Sequence, residues 1–182
     1  MIYPAVDIIR KELVTNGVNA ALGNISEIIN DNAGNDINAD VIISLINIEE
    51  NRISRDPSNF IRKQDGGIIM KNPAVHLYLT LLFTSVRRTA GAYGQSLQDL
   101  QNVMGVFQKK YVFDHINTPG LNAGIEKLIL DMVSLNLQQL HEIWSVLGGR
   151  YFPSVAYRVR MVTIDDIPDV SGPLVKEVEL NF

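Results

Sequence analysis

The alternation of apolar and polar residues predicts four main β-strands. Residues 41–49 read VIISLINIE and begin with β-branched residues on both faces, as a buried central strand does. Residues 75–83, 128–132 and 155–161 instead alternate between apolar and more polar positions, which is typical of strands with one buried face. The sequence therefore predicts a sheet of about four main strands.

Three amphipathic helices are predicted from apolar residues that recur every three or four positions. The second is expected to begin at Ser96, because Ser96 and Asp99 have the spacing of a capping box with Asp in place of Glu. The third is expected to begin at Asn136, with Gln139 as its cap partner, and to end at Gly148. The three apolar stripes are Ile2, Val6, Ile9 and Leu13; Leu97, Leu100, Met104 and Phe107; and Leu137, Leu140, Trp144 and Leu147.

The order of these elements indicates one α+β domain over residues 1–165, a mixed sheet with the three helices packed on it. Residues 166–182 are predicted to be a C-terminal linker and tail, because the pattern thins after Asp165. Trp144 is expected to lie buried against the sheet, with Leu140 and Leu147 beside it.

A long basic excursion occupies residues 51–73, between the first two main strands. It has no clean period, and loops longer than about 12–15 residues are uncommon in compact domains unless they have a function. It is interpreted either as a solvated loop or as a protein-docking arm. Its candidate docking residues are Arg52, Arg55, Arg62, Lys63 and Lys71.

The tail LVKEVELNF, residues 174–182, alternates weakly. One side carries Leu174, Lys176, Val178, Leu180 and Phe182, and the other carries Val175, Glu177, Glu179 and Asn181. Such a segment could add itself to a sheet edge of another subunit, fold back onto its own sheet, or stay disordered. The candidate strand-exchange residues are Leu174, Val175, Val178, Leu180 and Phe182.

The composition of the chain argues against several classes of function. The 182 residues contain 16 Lys and Arg against 20 Asp and Glu, a net charge of −4, which disfavours a nucleic-acid partner. The chain has no cysteine, which excludes disulfides, thiolate zinc sites and a cysteine nucleophile. No uncharged apolar run approaches the ~20 residues of a membrane helix, so no membrane partner is predicted and folding is expected in the cytoplasm.

No enzyme signature is found. His141 and Glu142 begin like a zinc-protease helix, but Ser145 stands where the second histidine is needed. His76 is interpreted as a strand residue, and the Asp165–Asp166 pair as a solvated strand exit, since neighbouring strand residues face opposite ways. The prediction is therefore no catalytic, cofactor-binding or metal-binding residues, and no enzyme.

Several strings match one family pattern in order. They are VIISLINIEEN, KNPAVHLYLTLLFTS, LQNVMGVFQKKYVF and LQQLHEIWSVLGGRYFPSVAYRVRMVTID, the last being the most specific. From Ile2 to about Asp165 the chain resembles the tail-terminator, or cap, family of phage-tail-like contractile injection systems of the antifeeding-prophage type.

The resemblance implies a non-enzymatic structural protein without cofactors. Such a protein forms a ring, thought to be six-fold, on the distal end of the inner tube and the sheath, where it ends polymerisation and couples the two. Its partners would be copies of itself, the inner tube protein and the sheath protein. The particle would be assembled in the cytoplasm and then either released or anchored to a membrane.

Two alternatives remain open at this point. One is an adaptor or tail-completion protein elsewhere in such a particle, for example at the baseplate. The other is an enzyme with an unrecognised site, which a deep pocket gathering His76, His141 or the Asp165 cluster would indicate.

Overall fold

The computed structural model describes residues 1–30, 38–51, 60–62, 68–70, 76–87 and 91–163. The helices are α1 Ile2–Thr15, α2 Ile25–Asn30, α3 Tyr93–Lys109 and α4 Leu137–Val146. The strands are β1 Ala20–Leu22, β2 Val41–Glu50, β3 Phe60–Arg62, β4 Ile68–Met70, β5 Leu77–Ser85, β6 Val112–Asp114, β7 Ile125–Val133 and β8 Ser154–Thr163.

A six-stranded mixed sheet forms the centre of the fold, in the order β1-β2-β5-β8-β7-β6. The β1–β2 pair is parallel and the other four pairs are antiparallel. The four central strands are the four that the alternation predicts, and the α+β class is confirmed. The edge strands β1 and β6 were not predicted, because each has three residues, too few to show a period of two.

One face of the sheet is covered by α1 and α3. Val6, Ile9 and Leu13 of the first predicted stripe are buried there, while Ile2 is partly buried at the edge of the cluster. Further along, the rings of Phe83, Phe107 and Tyr157 meet edge to face, with centroids 5.0, 5.3 and 5.6 Å apart. Such pairs stabilise a core beyond the area they bury.

The opposite face is covered by α2 and α4. Trp144 is only 4% exposed and belongs to a cluster with Ile42, Leu82 and Ala156, so its predicted burial is confirmed. Leu140 and Leu147 are partly buried against the same cluster, as expected. The Asn136 cap is also confirmed: the Gln139 N–H donates to Asn136 Oδ1 at 2.8 Å, and the Asn136 N–H donates to Gln139 Oε1 at 3.0 Å.

Leu137 departs from the predicted stripe. It is 86% exposed, although it shares the helical spacing of Leu140 and Trp144. It is the first residue of α4, where the chain only begins to approach the sheet. The buried part of this stripe therefore starts one turn later than its periodicity predicts.

The predicted start of α3 at Ser96 is wrong. The helix begins at Tyr93, and the buried Ser96 donates its backbone N–H to the carbonyl of Ala92 at 2.9 Å. Asp99 is not a cap residue, because its carboxylate binds Arg87 at 2.7 and 3.0 Å and the Ser85 hydroxyl at 3.0 Å. This hydrogen bonding raises the pKa of Arg87 and fastens α3 to the end of β5.

The predicted apolar stripe of α3 is only partly buried. Leu97 and Met104 are exposed, and the buried positions are Ser96, Leu100, Val103, Val106 and Phe107.

Besides β1, four elements lie where no regular structure was predicted. The short helix α2 follows β1 directly, and β6 lies in a segment that reads as a loop. Within the basic excursion, β3 and β4 pair antiparallel, with Phe60 opposite Met70 and Arg62 opposite Ile68. The excursion therefore contains a small hairpin.

Candidate interaction surface along the free edge of strand β2

Strand β1 pairs with only the first part of β2. It pairs with Val41 to Ile43, and the Gly23 N–H then donates to the carbonyl of Ile43 at 3.1 Å. Beyond that point, no strand in the described parts of the chain pairs with the outer side of β2. Residues 45–49 therefore form what we call the free edge.

Ser44 ends the pairing. Its buried hydroxyl donates to the carbonyl of Gly23 at 2.7 Å and accepts from the N–H of Ile25 at 3.1 Å. These two bonds turn the chain from β1 into α2 and away from β2. A single serine inside an apolar strand thus fixes where the free edge begins.

A β-bulge shapes the free edge. Leu45 lies opposite Leu81 and Asn47 lies opposite Thr80, so Ile46 is the extra residue. The N–H of Ile48 is satisfied by the side chain of Asn47, at 2.9 Å from Oδ1. Bulges and local side-chain bonds are common on strands that must not pair indiscriminately.

The free edge forms the floor of an open groove of about 1170 Å³. Small-molecule sites usually measure ~300–1,000 Å³, so the size suits a polypeptide segment better. The first turns of α1 make one wall and α4 makes the other. The main apolar side chains of these walls are Ile2, Tyr3 and Val6 on α1, with Ile143, Val146 and Leu147 on and after α4.

Large apolar side chains are exposed around this groove. Tyr3 is 70% exposed on one rim, Val146 is 84% exposed on the other, and Leu45 on the floor is 38% exposed. Single exposed apolar residues are ordinary, but a group of them bordering an unpaired strand marks an interaction surface.

Two carboxylates lie on the α4 side of the groove. Glu49 is 3.8 Å from Arg158, whose guanidinium stacks 5.3 Å from the centre of the Tyr78 ring. Glu142 accepts a hydrogen bond from Gln138 at 2.9 Å, and within the described residues it forms no ion pair with Lys or Arg. Glu142 is therefore the carboxylate that a cationic partner would meet.

The groove does not bring together the histidines that the enzyme alternative names. Neither His76 nor His141 lines it. The His76 ring lies 3.4 Å from the N–H of Thr163, and the His141 ring lies 3.4 Å from the Ser145 hydroxyl. Among the described residues, no group of three or more His, Asp and Glu side chains has the arrangement of a metal site. The Asp165 cluster lies outside the described residues.

The candidate docking residues fall mostly beyond the described parts of the chain. Arg62 belongs to β3, where its backbone is described but its side chain is not. The other docking candidates and the whole tail, residues 174–182, lie outside the described residues. The helices that are described are all too short or too polar to cross a membrane.

Sequence reasoning missed the free edge itself. The strand β2 was predicted, but its partner on the outer side is only three residues long. The one local signal is Ser44, a polar residue in the run VIISLI. Its consequence depends on Gly23 and Ile25, which the sequence alone does not place beside it.

The chain is similar to one known protein family. A family model described as the Pvc16 N-terminal domain matches residues 6–177. None of the curated proteins matches the chain significantly.

Two cryo-EM structures share the fold. One is the sheath/tube terminator of the PVC extracellular contractile injection system in the extended state, with a TM-score of 0.63 and 17% identity over 100% of this chain and 63% of that chain. The other is the tube-terminating cap of the anti-feeding prophage, with a TM-score of 0.62 and 16% identity over 98% of this chain and 60% of that chain. This chain thus spans less than two thirds of the length of either protein.

Proposed function

Since the chain belongs to the Pvc16 N-terminal domain family, we propose that it is a structural cap of a contractile injection particle. In this role it ends the growth of the inner tube and the sheath and couples the two at their distal end. The observation that carries the proposal is the fold shared over the whole chain with two terminators of such particles.

The cap is proposed to be a closed ring of identical subunits, six in number by the family resemblance. A closing ring needs two different, complementary surfaces on every subunit. The groove along the free edge supplies one surface of suitable size and apolarity on the described residues. The inner tube protein and the sheath protein are the proposed further partners.

The proposed role involves no catalysis and no cofactor. The groove is lined mainly by apolar side chains, which suits the binding of a polypeptide. The particle is proposed to assemble in the cytoplasm and to act after release or from a membrane anchor.

The test is electron microscopy of particles from a strain that lacks the gene. We expect tubes of uncontrolled length and sheaths that do not stay attached at the distal end, with both restored by the wild-type gene. Tubes of normal length on particles without baseplates would instead identify an adaptor. Particles that are normal in every respect would overturn both functions.

The basic excursion is proposed to be a second docking surface, which meets an acidic surface on the tube, the sheath or the neighbouring subunit. Replacing Arg62 and Lys63 with Glu should lower the fraction of capped tubes, because charge repulsion would replace attraction at the contact. Capped tubes are counted in electron micrographs. The free energy of unfolding should change by less than about 0.5 kcal/mol, since surface charges contribute little to folding.

A matched control separates a local effect from one of net charge. Lys109→Glu with Lys127→Glu reverses two charges at other described positions, so both pairs move the net charge from −4 to −8 (two reversals of −2 each). We expect the control to cap normally. Equal loss in both double variants, or no loss in either, would contradict a docking role for the excursion.

A further inference from the structure

We propose that the groove beside β2 receives the segment 174–182 of a neighbouring copy of the chain, which adds a strand to the free edge. The choice of a neighbouring copy as donor rests on the proposed ring-forming function. The groove rests on described residues, and its fit to the segment rests on the sequence of residues 174–182.

The backbone of β2 can pair on its outer side at Leu45, whereas the N–H of Ile48 further along is already bonded to Asn47 Oδ1 at 2.9 Å. The carbonyl oxygen of Ile43 points away from β5, since it accepts from Gly23 on the β1 side. Backbone groups of a strand alternate in direction, so those of Leu45 also point outward. An extended segment laid along this edge would obtain affinity from backbone hydrogen bonds and register from alternate side chains.

The side chains of the segment fit the α4 wall in both apolarity and charge. This wall presents Ile143, Val146 and Leu147 together with the carboxylate of Glu142. One face of the segment is apolar except for Lys176. That lysine could pair with Glu142, the acid in the groove that forms no ion pair within the described residues.

The other face of the segment carries Glu177 and Glu179. These carboxylates would lie at the exposed start of α1 and not against its apolar side chains Ile2 and Val6. The first turn of α1 contains no acidic residue, and no side chain caps its N-terminus. Negative charge is favourable beside the positive end of a helix dipole.

The position where the chain leaves β8 is compatible with a tail donated by the same chain or by a neighbouring chain. β8 ends at Thr163, at the end of the sheet where Glu50 of β2 lies opposite Leu77 of β5. The ten residues 164–173 can span up to about 33–36 Å, so the segment is not confined to the chain's own sheet edge.

The exposed rims of the groove favour the neighbour. Tyr3 and Val146 line the groove and are 70% and 84% exposed on its two rims. The body of a second subunit, packed where its tail enters, would cover them as well.

Cysteine cross-linking tests the inference, because the natural chain contains no cysteine. Asn47→Cys is placed in one tagged chain, and Lys176→Cys, Val178→Cys or Leu180→Cys in another, which covers the possible registers. The full-length chains are co-expressed with tube and sheath proteins, oxidised, and separated without reductant. Docking raises the effective concentration of the two thiols, so at least one pair should give about tenfold or more heterodimer than the control.

The control is Ile116→Cys in place of Asn47→Cys. Ile116 is 93% exposed and follows β6, on the opposite edge of the sheet. Charge exchange provides a second measurement. Glu142→Lys and Lys176→Glu should each reduce the Asn47–Val178 cross-link, and the two together should restore it.

Two results would overturn the inference. One is a disulfide that forms when Asn47→Cys and a tail cysteine are placed in the same chain but not when they are placed in different chains, which would show that the tail folds back on its own edge. The other is the absence of any cross-link while tubes are still capped, which would show that something else covers the groove. The proposed function survives both results, and it fails separately if tube length does not depend on this protein.

Discussion

Replacing Trp144 with Ala is expected to lower the free energy of unfolding by about 3–5 kcal/mol, because apolar contacts are lost and a cavity is left. Trp144 is 4% exposed and lies between α4 and the sheet. Its indole ring also contacts Tyr151 and Phe152, with centroids 5.9 and 6.0 Å away. For a chain of this length the melting temperature should fall by roughly 6–20 °C, measured by circular dichroism.

Trp144→Phe is the matched control. The indole N–H is buried and has no hydrogen-bond partner among the described residues. Phenylalanine removes this unsatisfied donor while keeping most of the apolar contact, so its cost should be clearly smaller than that of Ala. A melting temperature that is unchanged by Trp144→Ala would mean that the residue does not hold α4 to the sheet.

Trp144 also connects the core to the groove. The helix that it anchors supplies Ile143 and Val146 to the α4 wall. A partial loosening of α4 should therefore weaken assembly even in variants that remain folded. Stability and the proposed partner binding would then be linked through one buried side chain.

The central part of this fold could be predicted because its signals are local. Alternation between apolar and more polar residues marked β5, β7 and β8, and a capped apolar stripe marked α4 with Trp144 inside it. Each of these signals is a repeat within one element, and burial follows when the apolar side faces the sheet.

Other features could not be predicted because they depend on distant residues. Ser96 and Asp99 have the spacing of a cap, yet Asp99 binds Arg87 from another element. Met132 alternates like a buried residue, but it is 56% exposed near the end of β7. Periodicity shows which residues share a face and does not show what covers that face.

The candidate surface could be predicted only in part, because periodicity shows a face of the chain but does not show its partner. The weak alternation of the tail is visible in the sequence, so a strand-exchange role could be proposed for it. The acceptor was not visible, because the free edge exists only where β1 stops and Ser44 turns the chain away. The structure therefore shows a candidate receiving surface, and its pairing with the tail is a proposal.

Deletion of residues 173–182 should abolish ring assembly and leave the stability of the single subunit unchanged. The two apolar clusters of the described core consist of residues between Ile2 and Met161, so the deletion removes none of them. What is lost is the proposed occupant of the neighbour's groove. Oligomer size is measured by analytical ultracentrifugation, unfolding by circular dichroism, and capping by the distribution of tube lengths.

A variant of full length distinguishes the role of the apolar face from that of chain length. Val178→Asp with Leu180→Asp keeps the tail but places two charges on the side that should meet the α4 wall, so assembly should be lost as in the deletion. Glu177→Gln with Glu179→Gln should have a much smaller effect, because these residues make only the exposed helix-end contact.

A large fall in the melting temperature of the truncated subunit would mean that the tail folds back on its own edge. Complete assembly of the truncated chain would mean that the groove is closed by a different surface, and the ring would then need no exchanged strand.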